Sequence, residues 1–299
     1  MESRTAWAAA VHRAAHQVLE QGSIFADPLA VRILGEDAEA AIRETELQPS
    51  RRRMRIFIAI RTRFTEDALA AAVERGVRQL VVLGAGLDTY AYRSPWGARL
   101  RMFEVDHPAT QAWKRQLLQN VAIPIPASLT FAPIDFERQT LAEGLAGAGF
   151  DSSQQTFFTW LGVVPYLTEE SVTSTLSFIA SVAGGAHVVF DYSNSPESLP
   201  PELRAWHEKR AAHVAELGEA WLSYFEADNL RAKLTALGFS TIEDLGLPKL
   251  LPATFPPGRR PCRKKVATSC APQRSEWNFS PRVGKGVVWA PTGRPTKAL

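Results

Sequence analysis

From residue 79 onwards, short apolar runs alternate with helix-like segments, and this order constrains the fold more than any other feature. The runs are QLVVLG, LRMFEVD, SLTFAPID, TFFTWLG and AHVVFDY, and segments such as PATQAWKRQLLQ and TEESVTSTLSFIASV separate them. Runs rich in Val, Phe and Leu without polar alternation are typical of strands buried on both faces. Their β-α-β-α order predicts an α/β fold with an open, mostly parallel sheet flanked by helices.

Residues 1–78 are predicted to form a helical cap that belongs to the same domain as the sheet. The segment SRTAWAAAVHRAAHQVLEQG begins with cap-type residues and ends at Gly22. The segment FADPLAVRILG places Asp27 and Pro28 at the N-cap and first turn of a second helix. A third stretch, roughly residues 50–75, repeats apolar residues at helical spacing.

The composition predicts a globular body with a chemically distinct ending. Apolar residues make up 45% of the chain and charged residues 22%, and no apolar run reaches the roughly 18 residues of a membrane span. The N-terminus is a poor signal peptide, and two cysteines give no disulfide framework, so we expect a cytoplasmic protein without a membrane partner. From Pro252 onwards the chain has ten Lys and Arg residues and one acidic residue, Glu276. The rest of the chain has a net negative charge, which is unlike a nucleic-acid binder.

A glycine-containing turn follows the first predicted strand, in the sequence LVVLGAGLDTYAYR. Gly84 and Gly86 lie where α/β folds hold a phosphate or a nucleoside, and without a Cβ they let the backbone approach a ligand closely. A simple packing turn is the alternative interpretation, because a lone G-x-G is a weak signal.

Acidic residues end the next two predicted strands. Glu104 and Asp106 end LRMFEVD, about 20 residues beyond the glycines, where an acid accepts hydrogen bonds from ribose hydroxyls. Asp135 ends SLTFAPID and is a candidate for the amino group of an adenine. The alternatives are a solvated strand end for the first pair and a helix N-cap for Asp135. Together with the glycine turn, these acids predict a nucleoside-bearing cofactor.

The residues around the glycine turn also indicate which cofactor is bound. Thr89 stands where a pyrophosphate-binding G-x-G-x-x-G motif has its third glycine, and no P-loop motif occurs. S-adenosylmethionine lacks a phosphate and needs only ribose acceptors, adenine contacts and a binding group for its amino-acid end. Two other functions stay open: an NAD(P)-dependent oxidoreductase, and a non-catalytic cofactor-binding protein whose tail holds nucleic acid.

Several motifs in a fixed order resemble one family. LGAGLDTYAYR, FEVDHP, PIDF and TWLGVVPYLTEE are similar to motifs of the leucine carboxyl methyltransferase-like family, whose members are S-adenosyl-L-methionine-dependent O-methyltransferases, many of them bacterial. The resemblance covers roughly residues 3–251. It implies a Rossmann-like class I methyltransferase sheet with an N-terminal helical cap. It also implies S-adenosyl-L-methionine as the cofactor and a carboxylate or hydroxyl acceptor on a small molecule or peptide.

The resemblance also implies roles for individual residues. An arginine on the helix before the first strand binds the cofactor carboxylate in this family, and Arg61 in RTRF is the best match. The ribose acid falls within Glu104-Val105-Asp106, with Asp106 favoured, and the adenine contact falls at Asp135-Phe136. The predicted cofactor-binding set is Arg61, Gly84, Gly86, Asp88, Glu104, Asp106, Asp135 and Phe136.

The segment TWLGVVPYLT should lie at the reacting end, where Trp160 and Tyr166 are predicted substrate contacts. The sequence departs from the family here, since several members have Glu where Trp160-Leu161 stands. Tyr90 is a second departure, at a position where the family often has Arg. Tyr166 is the one candidate base near this segment, and packing explains it equally well. We assign no catalytic residue and no metal site.

The tail, residues 252–299, holds eight of the chain's 20 prolines and both cysteines, and the family resemblance stops where it begins. We expect most of it to be disordered or loosely attached. Family members usually continue with a Tyr-Phe segment and a final strand. The sequence leaves open whether GVVWA at 286–290 replaces that strand.

Two origins of the tail are open: an added segment that binds an acidic partner, and a shift of reading frame near codon 251, which we favour. Arg, Pro, Gly and Cys are common products of GC-rich DNA translated out of frame. Translation of the other two frames downstream of Leu251 should therefore give a Tyr-Phe segment followed by a plausible strand. If neither frame gives them, the frameshift hypothesis is wrong and the tail belongs to the protein.

Overall fold

The computed structural model describes residues 3–48, 51–135, 138–199, 201–216, 218–246 and 285–291. The strands are β1 Gln79–Leu83, β2 Arg101–Asp106, β3 Leu129–Pro133, β4 Thr156–Trp160, β5 Ala186–Ser193, β6 Glu243–Gly246 and β7 Lys285–Pro291. The helices are α1 Arg4–Leu19, α2 Ala38–Glu46, α3 Arg51–Glu74, α4 Pro108–Asn120, α5 Leu141–Gly147, α6 Glu169–Ser181, α7 Pro201–Glu216 and α8 Ala227–Ala236. Within the described ranges, none of these helices combines the length and apolarity that crossing a membrane requires.

The seven strands form one sheet in the order β3-β2-β1-β4-β5-β7-β6. Strands β1 to β5 pair in parallel, and β7 runs antiparallel to both of its neighbours, β5 and β6. The chain moves outwards from β1 to β3 and then returns to place β4 on the other side of β1. This is an open, doubly wound Rossmann-like sheet with an antiparallel β7, so the predicted α/β, Rossmann-like fold class is confirmed.

Each face of the sheet carries its own apolar core. On one face α3 packs over the central strands, and its Ile56 and Ile60 share a cluster with Leu80, Val82 and others. On the opposite face α5, α6 and α8 cover the alternate residues of the same strands. Side chains alternate between the faces along a strand, so apolar runs without polar alternation are what a sheet covered on both sides requires.

The helical cap follows its sequence prediction in two places and departs from it in a third. Helix α1 spans Arg4–Leu19 with Ser3 as its N-cap, and α3 spans Arg51–Glu74. The segment FADPLAVRILG was expected to form a helix that ends at Gly35, and this expectation is wrong. It forms a turn followed by a 3-10 segment over Arg32–Asp37 that is kinked at Gly35, whose φ is +64°. Asp27 still accepts from the Leu29 N–H at 3.0 Å, as a capping residue would, and also from the Thr89 hydroxyl.

Of the tail, residues 285–291 lie in the described part of the chain. They form β7, which pairs with β5 from His187 opposite Pro291 to Ser193 opposite Lys285. Val288 is 1% exposed and belongs to the same core cluster as residues of α6 and α8. The rest of residues 252–299, on which the prediction of disorder or a frameshift falls, lies outside the described residues.

Candidate functional site

The strand order reverses between β1 and β4, and the loops that follow these two strands meet at the carboxyl edge of the sheet. Ligands of open α/β sheets bind in the crevice at this switch point. Gly84 follows β1 and Val163 follows β4, and a Cβ added at Gly84 would clash with the Val163 side chain. Gly84 also has a φ of +63°, which favours glycine. The two halves of the sheet are therefore in direct contact at the predicted cofactor turn.

Gly86, the second glycine of the turn, contacts the helical cap and β2. Its φ is +45°, and a Cβ there would lie 3.0 Å from the Cβ of Ala6 on α1. The Gly86 N–H donates a hydrogen bond of 2.6 Å to Oδ2 of Asp106. The other carboxylate oxygen, Oδ1, accepts from the His107 N–H at 2.7 Å. The glycine turn and the predicted ribose acid are thus held together by the backbone.

Burial raises the pKa of Asp106, and the backbone hydrogen bonds from Gly86 and His107 oppose that rise in part. Its side chain is only partly buried and lies at the end of β2. Directly after β3, the Ile134 N–H donates to the Asp106 carbonyl at 3.0 Å, so Asp135 follows the last hydrogen bond between the ends of these two strands. Asp135 Oδ2 lies 3.5 Å from Nε of the exposed Arg138. Phe136, the other predicted adenine contact, lies outside the described residues.

Glu104, the alternative ribose acid, has buried partners of its own. Its Oε2 accepts from Nζ of Lys114 at 2.8 Å and from the Tyr92 hydroxyl at 3.3 Å. Both members of the Glu104–Lys114 ion pair are 1% exposed at their side chains. Burial raises the pKa of Glu104 to about 7, although the charge of Lys114 opposes the rise. Asp106 is therefore the more accessible acid at the end of β2.

Asp88 lies directly after the glycine turn and is joined to the cap. Arg13 on α1 donates to the Leu87 carbonyl, and its Nη1 lies 3.6 Å from Asp88 Oδ2. Asp88 Oδ1 accepts from the Tyr90 N–H at 2.8 Å. Burial raises the pKa of Asp88, but nearby positive charges, led by Arg13, outweigh burial and leave it below its usual range. The turn thus continues into a segment that the cap holds in place.

A second set of buried charges fixes the same segment from the other side. The Thr89 hydroxyl donates to Oδ2 of Asp27 at 2.6 Å, and Nε of Arg93 lies 3.4 Å from Asp27 Oδ1. Arg93 also forms a bidentate ion pair with Glu66 on α3. Removing one partner of a buried ion pair leaves an uncompensated charge, at a cost of about 3–5 kcal/mol. These contacts therefore make the cap part of the site's framework.

Arg61 on α3 reaches the loop after β4. Its Nη1 donates to Oδ2 of Asp191 at 2.6 Å, and Oδ1 of Asp191 accepts from the Gly162 N–H at 2.5 Å. Arg61 is 7% exposed and Asp191 is fully buried. The guanidinium of Arg61 lies 5.5 Å from the ring centroid of Phe57. Arg61 is thus located at the switch point, where the sequence predicted a group for the cofactor carboxylate.

The two predicted substrate residues lie in different surroundings. Trp160 is 2% exposed and packs with Phe190 in the core on the α6 side of the sheet, with ring centroids 6.2 Å apart. Tyr166 is partly buried and ends a short 3-10 turn over Val164–Tyr166. Leu222 donates its N–H to the Pro165 carbonyl at 2.6 Å, so the segment before α8 packs over this turn. Tyr166 is thus the more exposed of the two residues, and the role of both as substrate contacts stays a prediction.

Sequence reasoning missed three charged residues that the structure brings to the site: Arg13, Lys114 and Asp191. A signal was available for Asp191, since it lies in the last part of AHVVFDY as Asp106 lies at the end of LRMFEVD. The strand-end rule that selected Asp106 and Asp135 applies equally to Asp191. No comparable pattern marks Arg13, whose partner Leu87 is distant in sequence, or Lys114, which lies on the helix after Glu104.

Comparison with known protein families gives one match. Residues 6–180, more than half of the chain, match the family model described as leucine carboxyl methyltransferase. The chain belongs to this family. Residues 181–299 lie beyond the matched region, so the match is shorter than the resemblance predicted over roughly residues 3–251.

Curated relatives of this chain share one kind of name. The "Putative S-adenosyl-L-methionine-dependent methyltransferase YktD" of Bacillus subtilis (strain 168) is 35% identical over 187 residues, which are 62% of this chain and 61% of YktD. A Mycobacterium avium (strain 104) protein, also named as a methyltransferase dependent on S-adenosyl-L-methionine, is 33% identical over 64% of this chain and 66% of its own. The chain thus spans less than two thirds of the length of these curated relatives.

Solved structures are more distant in sequence. Magnesium protoporphyrin IX methyltransferase (ChlM) from Synechocystis PCC 6803, with bound SAH, is 12% identical with a TM-score of 0.43. The match covers 80% of this chain and 86% of that chain.

Proposed function

We propose that this chain is an S-adenosyl-L-methionine-dependent methyltransferase. The observation that carries the proposal is the hydrogen-bonded unit of the Gly84–Gly86 turn and Asp106 at the switch point of the sheet. The turn allows a ligand to approach the backbone closely, and Asp106 supplies a carboxylate where ribose hydroxyls are bound in sheets of this kind. The names of the family's relatives support the same activity.

The described residues fit such a cofactor. Asp106 offers a partly buried carboxylate at the end of β2, and Arg61 has a buried Nε with no hydrogen-bond partner among the described residues. Asp106 would hold the ribose, Asp135 the adenine and Arg61 the carboxylate. When bound, the cofactor supplies an activated methyl group on a sulfonium. The protein's main contribution is then to align the acceptor's nucleophile with that methyl group.

The nicotinamide alternative fits less well. A dinucleotide's pyrophosphate is bound at the N-terminus of a helix that follows the glycine turn, with a third glycine to allow close packing. Here Thr89 takes that position and donates to the buried Asp27. The turn is followed by a 3-10 turn of three residues, Tyr90–Tyr92, which has no helix dipole of comparable strength.

Within the methyltransferase reading, we propose transfer to oxygen, and a carboxylate acceptor is favoured over a hydroxyl. The loop Gly162–Tyr166 contains one titratable side chain, that of Tyr166. A carboxylate is already ionised at neutral pH and needs no base, whereas a phenol or alcohol benefits from one. An acceptor on a small molecule or peptide is consistent with a crevice between loops.

Titration calorimetry of the purified chain should show binding of S-adenosylmethionine and S-adenosylhomocysteine and no measurable binding of NAD. The expectation rests on the lack of a helix N-terminus after the turn and on the acid at the end of β2. Binding of NAD without a response to either sulfur compound would exclude the proposed function.

Asp106→Ala should weaken S-adenosylhomocysteine binding by about tenfold or more, because a charge-assisted hydrogen bond contributes roughly 1.5–3 kcal/mol. Asp67→Ala is the matched control, since Asp67 is a half-exposed acid paired with Arg63 on the outer surface of α3. Circular dichroism would establish that both variants fold. An unchanged affinity in folded Asp106→Ala would contradict the assignment of the ribose to this residue.

The acceptor class can be tested with cofactor labelled in its methyl group and a panel of small carboxylic acids, phenols and short peptides. We expect label in products that release methanol under mild base, because carboxyl methyl esters hydrolyse and methyl ethers do not. The Asp106→Ala variant serves as the control for enzyme-dependent transfer. Label found only in base-stable products would show that the acceptor is a hydroxyl or another nucleophile.

A further inference from the structure

Asp191 has no role in the functional assignment so far, although it is a fully buried acid at the switch point. It lies on β5 one residue beyond Phe190, which pairs with Trp160 at the end of β4. Val189, two residues earlier, packs in the α3 core, so Asp191 points to the same face as α3. This position brings its carboxylate between α3 and the loop after β4.

Both oxygens of Asp191 are used, and they join two different elements. Oδ2 accepts from Arg61 Nη1 at 2.6 Å, and Oδ1 accepts from the Gly162 N–H at 2.5 Å. A buried carboxylate requires such partners, because an unpaired charge in the interior is costly. Asp191 therefore fixes the distance between the Arg61 guanidinium and the turn after β4.

The turn at Gly162 is shaped around the guanidinium. Gly162 has a φ of +75°, and a Cβ at this position would lie 2.9 Å from Nη2 of Arg61. The next residue, Val163, contacts Gly84 of the cofactor turn. A displacement of Asp191 would thus move the guanidinium and the contact between the two loops together.

The contact with Asp191 leaves other donors of Arg61 available. A guanidinium has five N–H donors in a planar fork, and the pair with Asp191 uses Nη1. Among the described residues, the buried Nε has no hydrogen-bond partner. A carboxylate matches this fork, because it can accept two parallel N–H hydrogen bonds. A planar fork can present such a pair only if its orientation is fixed.

We propose that Asp191 is a positioning residue that orients Arg61 and the Gly162 turn toward the amino-acid end of the cofactor. The inference rests on the proposed function and adds to it a residue that acts through Arg61 rather than on the ligand. A purely structural ion pair would support the fold equally for every ligand. A positioning role instead predicts a loss confined to ligands that carry the amino-acid end.

The test compares two ligands by titration calorimetry: S-adenosylhomocysteine, and 5′-methylthioadenosine, which keeps the adenosine and lacks the amino-acid end. Asp191→Asn should weaken S-adenosylhomocysteine binding by about tenfold or more, since a misoriented fork loses a charge-assisted hydrogen bond. Binding of 5′-methylthioadenosine should change by less than about twofold. Glu20→Gln is the matched control. Glu20 forms an ion pair with Arg55, which lies on α3 as Arg61 does but away from the site.

A double-mutant cycle separates action through Arg61 from an independent effect. Arg61→Ala with Asp191→Asn should bind S-adenosylhomocysteine no more weakly than Arg61→Ala alone. Should Asp191→Asn fail to fold, Asp191→Glu keeps the charge, moves the carboxylate by one methylene and should show the same selective loss.

Equal losses for the two ligands, or additive losses in the cycle, would overturn the inference. So would unchanged binding of S-adenosylhomocysteine by a folded variant. If the unmodified protein binds neither ligand, the proposed function itself fails. If the unmodified protein binds both ligands and the folded variant binds them equally well, only the inference about Asp191 fails.

Discussion

The contact between Gly84 and Val163 joins the two halves of the sheet where the strand order reverses. From β1 and β4 the strand order runs outwards in opposite directions, which leaves a crevice between the loops that follow these two strands. Gly84 has no room for a side chain here, because Val163 fills the space that a Cβ would need. The remaining features of the site are arranged around this contact.

Backbone donors and buried charges hold the crevice from three sides. Gly86 binds Asp106 through its N–H, Gly162 binds Asp191 in the same way, and Asp27 receives the Thr89 hydroxyl from the segment beyond the turn. Each of these acids accepts from a loop that follows a strand and so fixes that loop relative to a neighbouring element. The acids near the crevice thus have structural partners before any ligand binds, which lowers the cost of ordering the site upon binding.

The fold could be predicted from the sequence because its strongest signals are local. Five apolar runs became β1 to β5, since strands covered on both faces need continuous apolar character. At FADPLAVRILG the chain forms a turn and a kinked 3-10 segment instead of one helix, and Asp27 binds the Leu29 N–H as well as Thr89 and Arg93. The sequence marks Asp27 as a capping residue, but it cannot show the partners that Asp27 finds on a distant segment.

The site was predictable to the extent that it follows the strand-end rule. That rule points to Asp106 and Asp135, but it treats Glu104 and Asp106 as equivalent. The two acids differ because Lys114 on α4 donates to Glu104 and gives it a buried partner. Sequence spacing cannot show which of two alternating acids a following helix will neutralise. For the same reason the sequence did not reveal Arg13, whose partners Leu87 and Asp88 are distant from it in the chain.

The position of β7 links the chain's unusual ending to the site. β7 pairs with β5, and Val287 lies opposite Asp191 in that pairing. Among the described strands, β6 is joined to the sheet only through β7. Without residues 285–291, β5 would become an exposed edge, and the backbone that carries Asp191 would lose the hydrogen bonds on one side. Edge strands are less constrained than central ones, so the orientation of Asp191, and through it of Arg61, depends on this short segment of the tail.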